Sequence, residues 1–152
     1  QPLSVAVGDF NPDGNPDLAT ANGGSDSVTI LLGTGNGNFT ATASPEAVGT
    51  TPSWVAVGDF NLDGKPDLAT ANAFSNNVTI LLGNGTGDFN PAPTSPEVVG
   101  TRPQSVEVGD FNLDGRPDLA TANAGSNNVT ILLNSCTARP CPPAFTQPTT
   151  SP

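Results

Sequence analysis

The sequence predicts an all-β protein built from repeated units, and three observations carry that prediction. A nine-residue acidic segment, Asp-Phe-Asn-x-Asp-Gly-x-x-Asp, occurs at residues 9–17, 59–67 and 110–118, at intervals of 50 and 51 residues. The 17 glycines and 16 prolines among 152 residues oppose helix interiors and favour turns, and no stretch shows a 3.6-residue apolar period. Around each acidic segment, short apolar runs with two-residue alternation recur in the same order. Four short strands per unit of about 50 residues is the pattern of a β-propeller blade. One such unit cannot bury both faces of its own small sheet, so the units must stack.

Each unit begins with a strand, Pro-Leu-Ser-Val-Ala-Val-Gly at 2–8 and its matches at 52–58 and 103–109. Here Val5/Val7, Val55/Val57 and Val106/Val108 alternate with smaller or polar residues. The acidic loop follows, then a second strand, Leu-Ala-Thr-Ala, from Leu18, Leu68 and Leu119. The third strand is Val-Thr-Ile-Leu-Leu at 28–32, 78–82 and 129–133, rich in β-branched residues. A Gly/Asn-rich hairpin at 33–37 or 83–87 leads to Phe39 or Phe89. A fourth strand is expected over 46–50 and 97–101. The one-residue change in spacing falls in the Pro/Thr/Ser-rich connection before it, where an insertion costs little.

These boundaries give three four-stranded blades, about 1–50, 51–101 and 102–133, and a Thr/Ser/Pro-rich tail, 134–152. The third blade reads as incomplete. After Leu133, Asn-Ser-Cys-Thr-Ala-Arg-Pro-Cys replaces the glycine hairpin, and the sequence stops where the fourth strand should begin. The outer edge of the last sheet is therefore expected to be open, and open strand edges invite pairing with another chain. Three blades also fall short of the four to eight or so of closed propellers. Completion is expected from other subunits or from further chain: two chains would make six blades, and non-closing head-to-tail contacts would make a filament.

The acidic segments have the pattern of a loop that wraps a hard cation. Side-chain oxygens stand at positions one, three, five and nine, a glycine at six allows the sharp turn, and position seven offers its backbone carbonyl. The candidate metal ligands are Asp9, Asn11, Asp13, Asn15 and Asp17, then Asp59, Asn61, Asp63, Lys65 and Asp67, then Asp110, Asn112, Asp114, Arg116 and Asp118. The variation among Asn15, Lys65 and Arg116 suits ligation through the backbone. The expected ion is Ca²⁺, about three per chain, in a structural role. Mg²⁺ resists dehydration, and soft metals lack His and clustered Cys here. An EF-hand would need Glu at position twelve, where Thr20, Thr70 and Thr121 stand, and a helix after the loop. The remaining alternative is an Asp/Asn turn without an ion.

The chain has 14 acidic residues, 4 basic ones and no histidine, for a net charge of −10. Nine of the acids lie in the three loops, so three divalent cations would offset more than half of that charge. Nothing resembles a basic stripe for nucleic acid, and no apolar run is long enough to span a bilayer as a helix. The sequence opens at Gln1 without an initiating Met, consistent with a processed or trimmed N-terminus. Cys136 and Cys141 are close enough for a local disulfide in an oxidising compartment, the alternative being two free thiols.

The run Val-x-Val-Gly-Asp-Phe-Asn-x-Asp-Gly-x-x-Asp-Leu-Ala-x-Ala-Asn, followed by Val-x-Ile-Leu-Leu-Gly-x-Gly-x-Gly-x-Phe, resembles the FG-GAP/VCBS repeat. The resemblance covers roughly residues 1–133. It implies a propeller like that of integrin α-subunits and of many secreted microbial proteins, with Ca²⁺ in the hairpin between the first two strands of each blade.

Catalysis has little to stand on: there is no histidine or tyrosine, Lys65 is the only lysine, and the spare carboxylates Asp26, Asp88, Glu46, Glu97 and Glu107 show no pairing. Trp54 and Phe74 are unique to the second unit and are weak contact candidates. Asn38, Asn77, Asn84 and Asn128 satisfy the N-glycosylation pattern, and the Thr/Ser/Pro-rich stretches 40–52, 90–103 and 137–152 suit O-glycosylation or stiff linkers. The expected function is a secreted or cell-surface, non-enzymatic, calcium-binding adhesion or structural module. Its expected partners are copies of itself, with an extracellular protein or a glycan as the other class. The alternative is a lectin-like propeller with glycan pockets between blades, and Trp54 and Phe74 fail to recur as such pockets would require.

Overall fold

The computed structural model describes residues 1–43, 45–137 and 139–148. Three antiparallel sheets follow one another along the chain, and the described residues form no helix. The first sheet holds β1 (Pro2–Gly8), β2 (Asp17–Asn22), β3 (Ser27–Gly33), β4 (Phe39–Ala41) and β5 (Glu46–Ala47). The second holds β6 (Pro52–Gly58), β7 (Asp67–Asn72), β8 (Asn77–Gly83), β9 (Phe89–Pro91) and β10 (Glu97–Val98). The third holds β11 (Pro103–Gly109), β12 (Asp118–Asn123), β13 (Asn128–Asn134) and β14 (Phe145–Thr146). The first three strands of each unit thus form where the alternating valines and the Val-Thr-Ile-Leu-Leu runs place them.

The fourth strand differs from expectation in the first two sheets. It is broken in two, both pieces pairing with the third strand: β4 pairs with Leu31–Gly33, while β5 pairs with Ser27 and Val28. β9 and β10 repeat this against β8. Pro45 and Pro96, directly before β5 and β10, carry no amide hydrogen for a ladder. Residues 48–50 are not strand but connection to the next sheet.

The third sheet does not stop at Leu133. β14, from the tail, pairs with Leu133 and Asn134, so the edge expected to be open is covered at one end. No described strand pairs with Asn128 and Val129, where β5 and β10 stand in the other sheets. The Cys136–Cys141 disulfide closes the loop between β13 and β14. Expectations for residues 44, 138 and 149–152 lie outside the described residues.

Stacking places the core between sheets. β1, β6 and β11 pack side by side as the neighbouring strands of successive blades. Strand alternation gives each sheet two apolar faces. One, the forward face, carries Ala19, Ala21, Val28 and Ile30 with Phe10 in the first sheet. It meets the rear face of the second sheet, Val55, Leu68, Leu81 and Phe89. The second sheet repeats the arrangement: Phe60, Ala69, Ala71, Val78 and Ile80 face Val106, Leu119 and Leu132 of the third, with Phe145 alongside. Phe10 meets Phe89, and Phe60 meets Phe145, edge to face at ring-centre distances of 5.5 and 6.1 Å. The same positions therefore build the same interface twice.

Candidate metal-binding loops

Each acidic loop joins the first two strands of its sheet, so all three occupy equivalent hairpins. The chain reverses on glycine: Gly14, Gly64 and Gly115 have φ of 82°, 85° and 79°, a region that side chains disfavour. The residue at position four is also left-handed, at φ 25°, 59° and 60° for Pro12, Leu62 and Leu113, and none of these is glycine.

The position-one carboxylate gathers the turn. Asp9 accepts from the amides of Asp13 and Gly14 at 3.2 and 3.0 Å. Asp59 accepts from Asp63 and Gly64 at 3.0 and 2.9 Å, and Asp110 from Asp114 and Gly115 at 3.0 and 2.8 Å. Position five closes the next turn, with Asp13, Asp63 and Asp114 accepting from the amides of Asn15, Lys65 and Arg116. That backbone bond holds the Asp13 carboxyl below the usual aspartate value. Asn61 and Asn112, at position three, accept from the amides of Asp63 and Asp114. In the first loop the Asn11 Oδ1 is buried with no hydrogen-bond partner.

The third loop differs electrostatically. Arg116 reaches Asp114 with Nε at 3.0 Å and Nη2 at 2.6 Å, and donates from Nη1 to the Cys136 carbonyl at 2.7 Å. The guanidinium holds the Asp114 carboxyl below its ordinary value. Lys65, the matching residue of the second loop, stands 4.0 Å from Asp63.

The position-nine aspartates have another task. Asp17 is fully buried and accepts from the Phe10 and Gly33 amides, both at 2.7 Å. Asp67 accepts from Phe60, Asn61 and Gly83 at 2.9, 3.3 and 2.9 Å. Asp118 accepts from Phe111 and Asn134 at 2.9 and 2.8 Å. Each staples its loop to the end of the third strand. Burial pushes the Asp67 carboxyl up to about 7, against the opposing pull of its amide bonds. The staple needs close approach: a Cβ on Gly33 or Gly83 would strike the Pro16 or Pro66 carbonyl oxygen.

Oxygen donors at positions one, three and five of each loop suit a hard cation, and in the first loop an orphaned buried oxygen stands among them. Among the described residues, however, no three Asp, Glu or Cys side chains converge as a formed metal site. The metal set read from the sequence is divided, with position nine drawn into the backbone.

Two features escaped sequence reasoning. Asp26 and Asn76, in the turn before the third strand, accept from the amides of Thr51 and Arg102 at 2.8 Å and clasp the start of the next unit. An Asn-Asn-Thr network also runs across the second and third sheets, with Asn72 donating to Asn77 and Thr79, and Asn123 to Asn128 and Thr130, while in the first sheet Ser27 takes the middle position and Asn22 donates to Thr29. Asn77 and Asn128 thus have their side chains hydrogen-bonded into the sheet, although Asn128 is exposed, and Asn38 and Asn84 are exposed in hairpins. The recurring Asn-x-x-x-x-Asn-x-Thr spacing was the available signal.

The family model for FG-GAP-like repeats matches residues 9–70 and again 59–121. The chain belongs to that family, and its three sheets make it a β-propeller-like module. No curated protein matches it.

Proposed function

We propose that this chain is a secreted calcium-binding repeat protein that serves as an adhesion or structural module and assembles with copies of itself. The observation that carries the reading is the threefold recurrence of an oxygen-only loop at equivalent hairpins of three stacked sheets. Asp9, Asn11 and Asp13, with Asp59, Asn61 and Asp63 and with Asp110, Asn112 and Asp114, would hold Ca²⁺, helped by the carbonyls of Asn15, Lys65 and Arg116. The position-nine aspartates hold the loop in place and could lend a remaining lone pair. The ion would neutralise crowded carboxylates and stabilise the blade by linkage. A non-enzymatic role is supported by the absence of histidine and by a site chemistry limited to backbone-bonded carboxylates. The disulfide and the family support an extracellular setting.

Calorimetric titration of chelator-treated protein tests the metal reading. Ca²⁺ is expected to bind at about three sites with Mg²⁺ far weaker; absence of Ca²⁺ binding up to several millimolar would refute it. The glycan-binding alternative is checked on a glycan array with the calcium-loaded chain, where selective strong binding would replace adhesion by self-assembly as the leading reading.

A further inference from the structure

Among the described residues, the stack leaves one rear face and one forward face without a neighbouring sheet. On the first sheet, Val5 and Val7 are 59% and 62% exposed and Phe39 43%, although their equivalents Val55 and Phe89 are buried in the stack. On the third sheet, Phe111 and Val129 are 49% and 61% exposed, although Phe60 and Val78 are buried completely. Each open face is half of an interface that the molecule already makes twice.

The polar contacts of that interface are also present in halves. The hairpin amide of Gly87 donates to the Phe10 carbonyl at 3.0 Å, and in the next interface the Asn134 side chain donates to the Phe60 carbonyl at 2.9 Å. The corresponding carbonyl on the forward end belongs to Phe111, and the corresponding hairpin amide on the rear end belongs to Gly37. Asn127 holds the position of the clasp residues Asp26 and Asn76, has the same left-handed backbone at φ 53°, and has no following unit to clasp among the described residues.

We infer that the open forward face of one copy docks on the open rear face of a second copy, with the same residue pairing as the two internal interfaces. This builds on the self-assembly proposed above and specifies its surfaces. The contact is heterologous, so it either closes or propagates. Propellers close with about four to eight blades, and six is the only multiple of three in that range. Two copies of these three blades would therefore close a six-bladed ring through two identical contacts. One position departs from the template: Glu107 replaces the packed alanines Ala6 and Ala56 on the forward face and weakens the contact.

Sedimentation of the 152-residue chain in calcium tests the inference, alongside Val5→Asp, Val129→Asp and Glu107→Ala. All three positions are exposed, so circular dichroism and melting confirm that the variants fold. The expected result is a two-chain species, with either aspartate raising its dissociation constant at least about a hundredfold and Glu107→Ala lowering it. Mixing Val5→Asp with Val129→Asp restores one intact interface, so a mixed dimer is expected where neither variant pairs alone. A wild-type chain that remains single at high micromolar concentration overturns the inference, as does a dimer indifferent to both aspartates. A single chain that still binds calcium leaves the metal reading standing and separates the two failures.

Discussion

Val78 and Val129 sit at matching positions of identical Asn-Val-Thr-Ile-Leu-Leu segments, yet one is completely buried between sheets and the other is 61% exposed. Alanine at each gives an internally controlled measure of what blade stacking contributes. Val78→Ala removes two carbons from a dry interface, worth about 1.6 kcal/mol in transfer alone. Two paired sheets cannot collapse fully around the gap, so the residual cavity brings the cost to about 2–3 kcal/mol. Val129→Ala removes the same atoms from a largely wet surface and should cost less than about 0.5 kcal/mol. Urea unfolding in dilute solution, where chains are separate, compares the two midpoints. Equal costs would refute the stacking argument, because they would mean that strand identity, not the neighbouring blade, sets the stabilisation.

Other expectations follow from the loops and edges. Arg116→Asn should raise calcium affinity at the third loop several-fold by freeing Asp114, with little change in the stability of the metal-free protein because the lost ion pair is solvent-screened; calorimetry on both proteins checks this. Leu113→Gly relieves a left-handed residue whose side chain is 89% exposed. Relief of about 1–2 kcal/mol outweighs the glycine entropy cost of about 0.5–1, so the melting temperature should rise. Burial raises the Glu97 carboxyl above the ordinary 4.5, only partly offset by a Thr94 hydrogen bond. Its favourable contribution is therefore complete below pH 4.5 and is lost as pH rises through the elevated value. Glu97→Gln should flatten that decline in chelator-treated protein and raise stability at pH 7, as urea midpoints at the two pH values would show.

Much of the fold was legible because its signals are local. Alternating valines set β1, β6 and β11, and Gly14, Gly64 and Gly115 marked the reversals that the left-handed backbone confirms. What escaped depends on contacts remote in sequence. The split fourth strand follows from prolines that interrupt a ladder whose partner lies many residues away. β14 follows a Cys-stapled loop that bears no likeness to the hairpin it replaces. The spacing that marks Asp17, Asp67 and Asp118 as candidate ligands gives no sign of the amide bonds they also accept sixteen residues further on, from Gly33, Gly83 and Asn134. The clasp by Asp26 and Asn76 reaches into the following unit and so has no signature within one repeat.

Native mass spectrometry of the calcium-equilibrated chain counts ions and chains together, and so tests the calcium-loaded, mutually completing blades most directly. The predicted species is two chains carrying six calcium ions, three for each set of acidic loops. A single chain free of calcium would contradict the account.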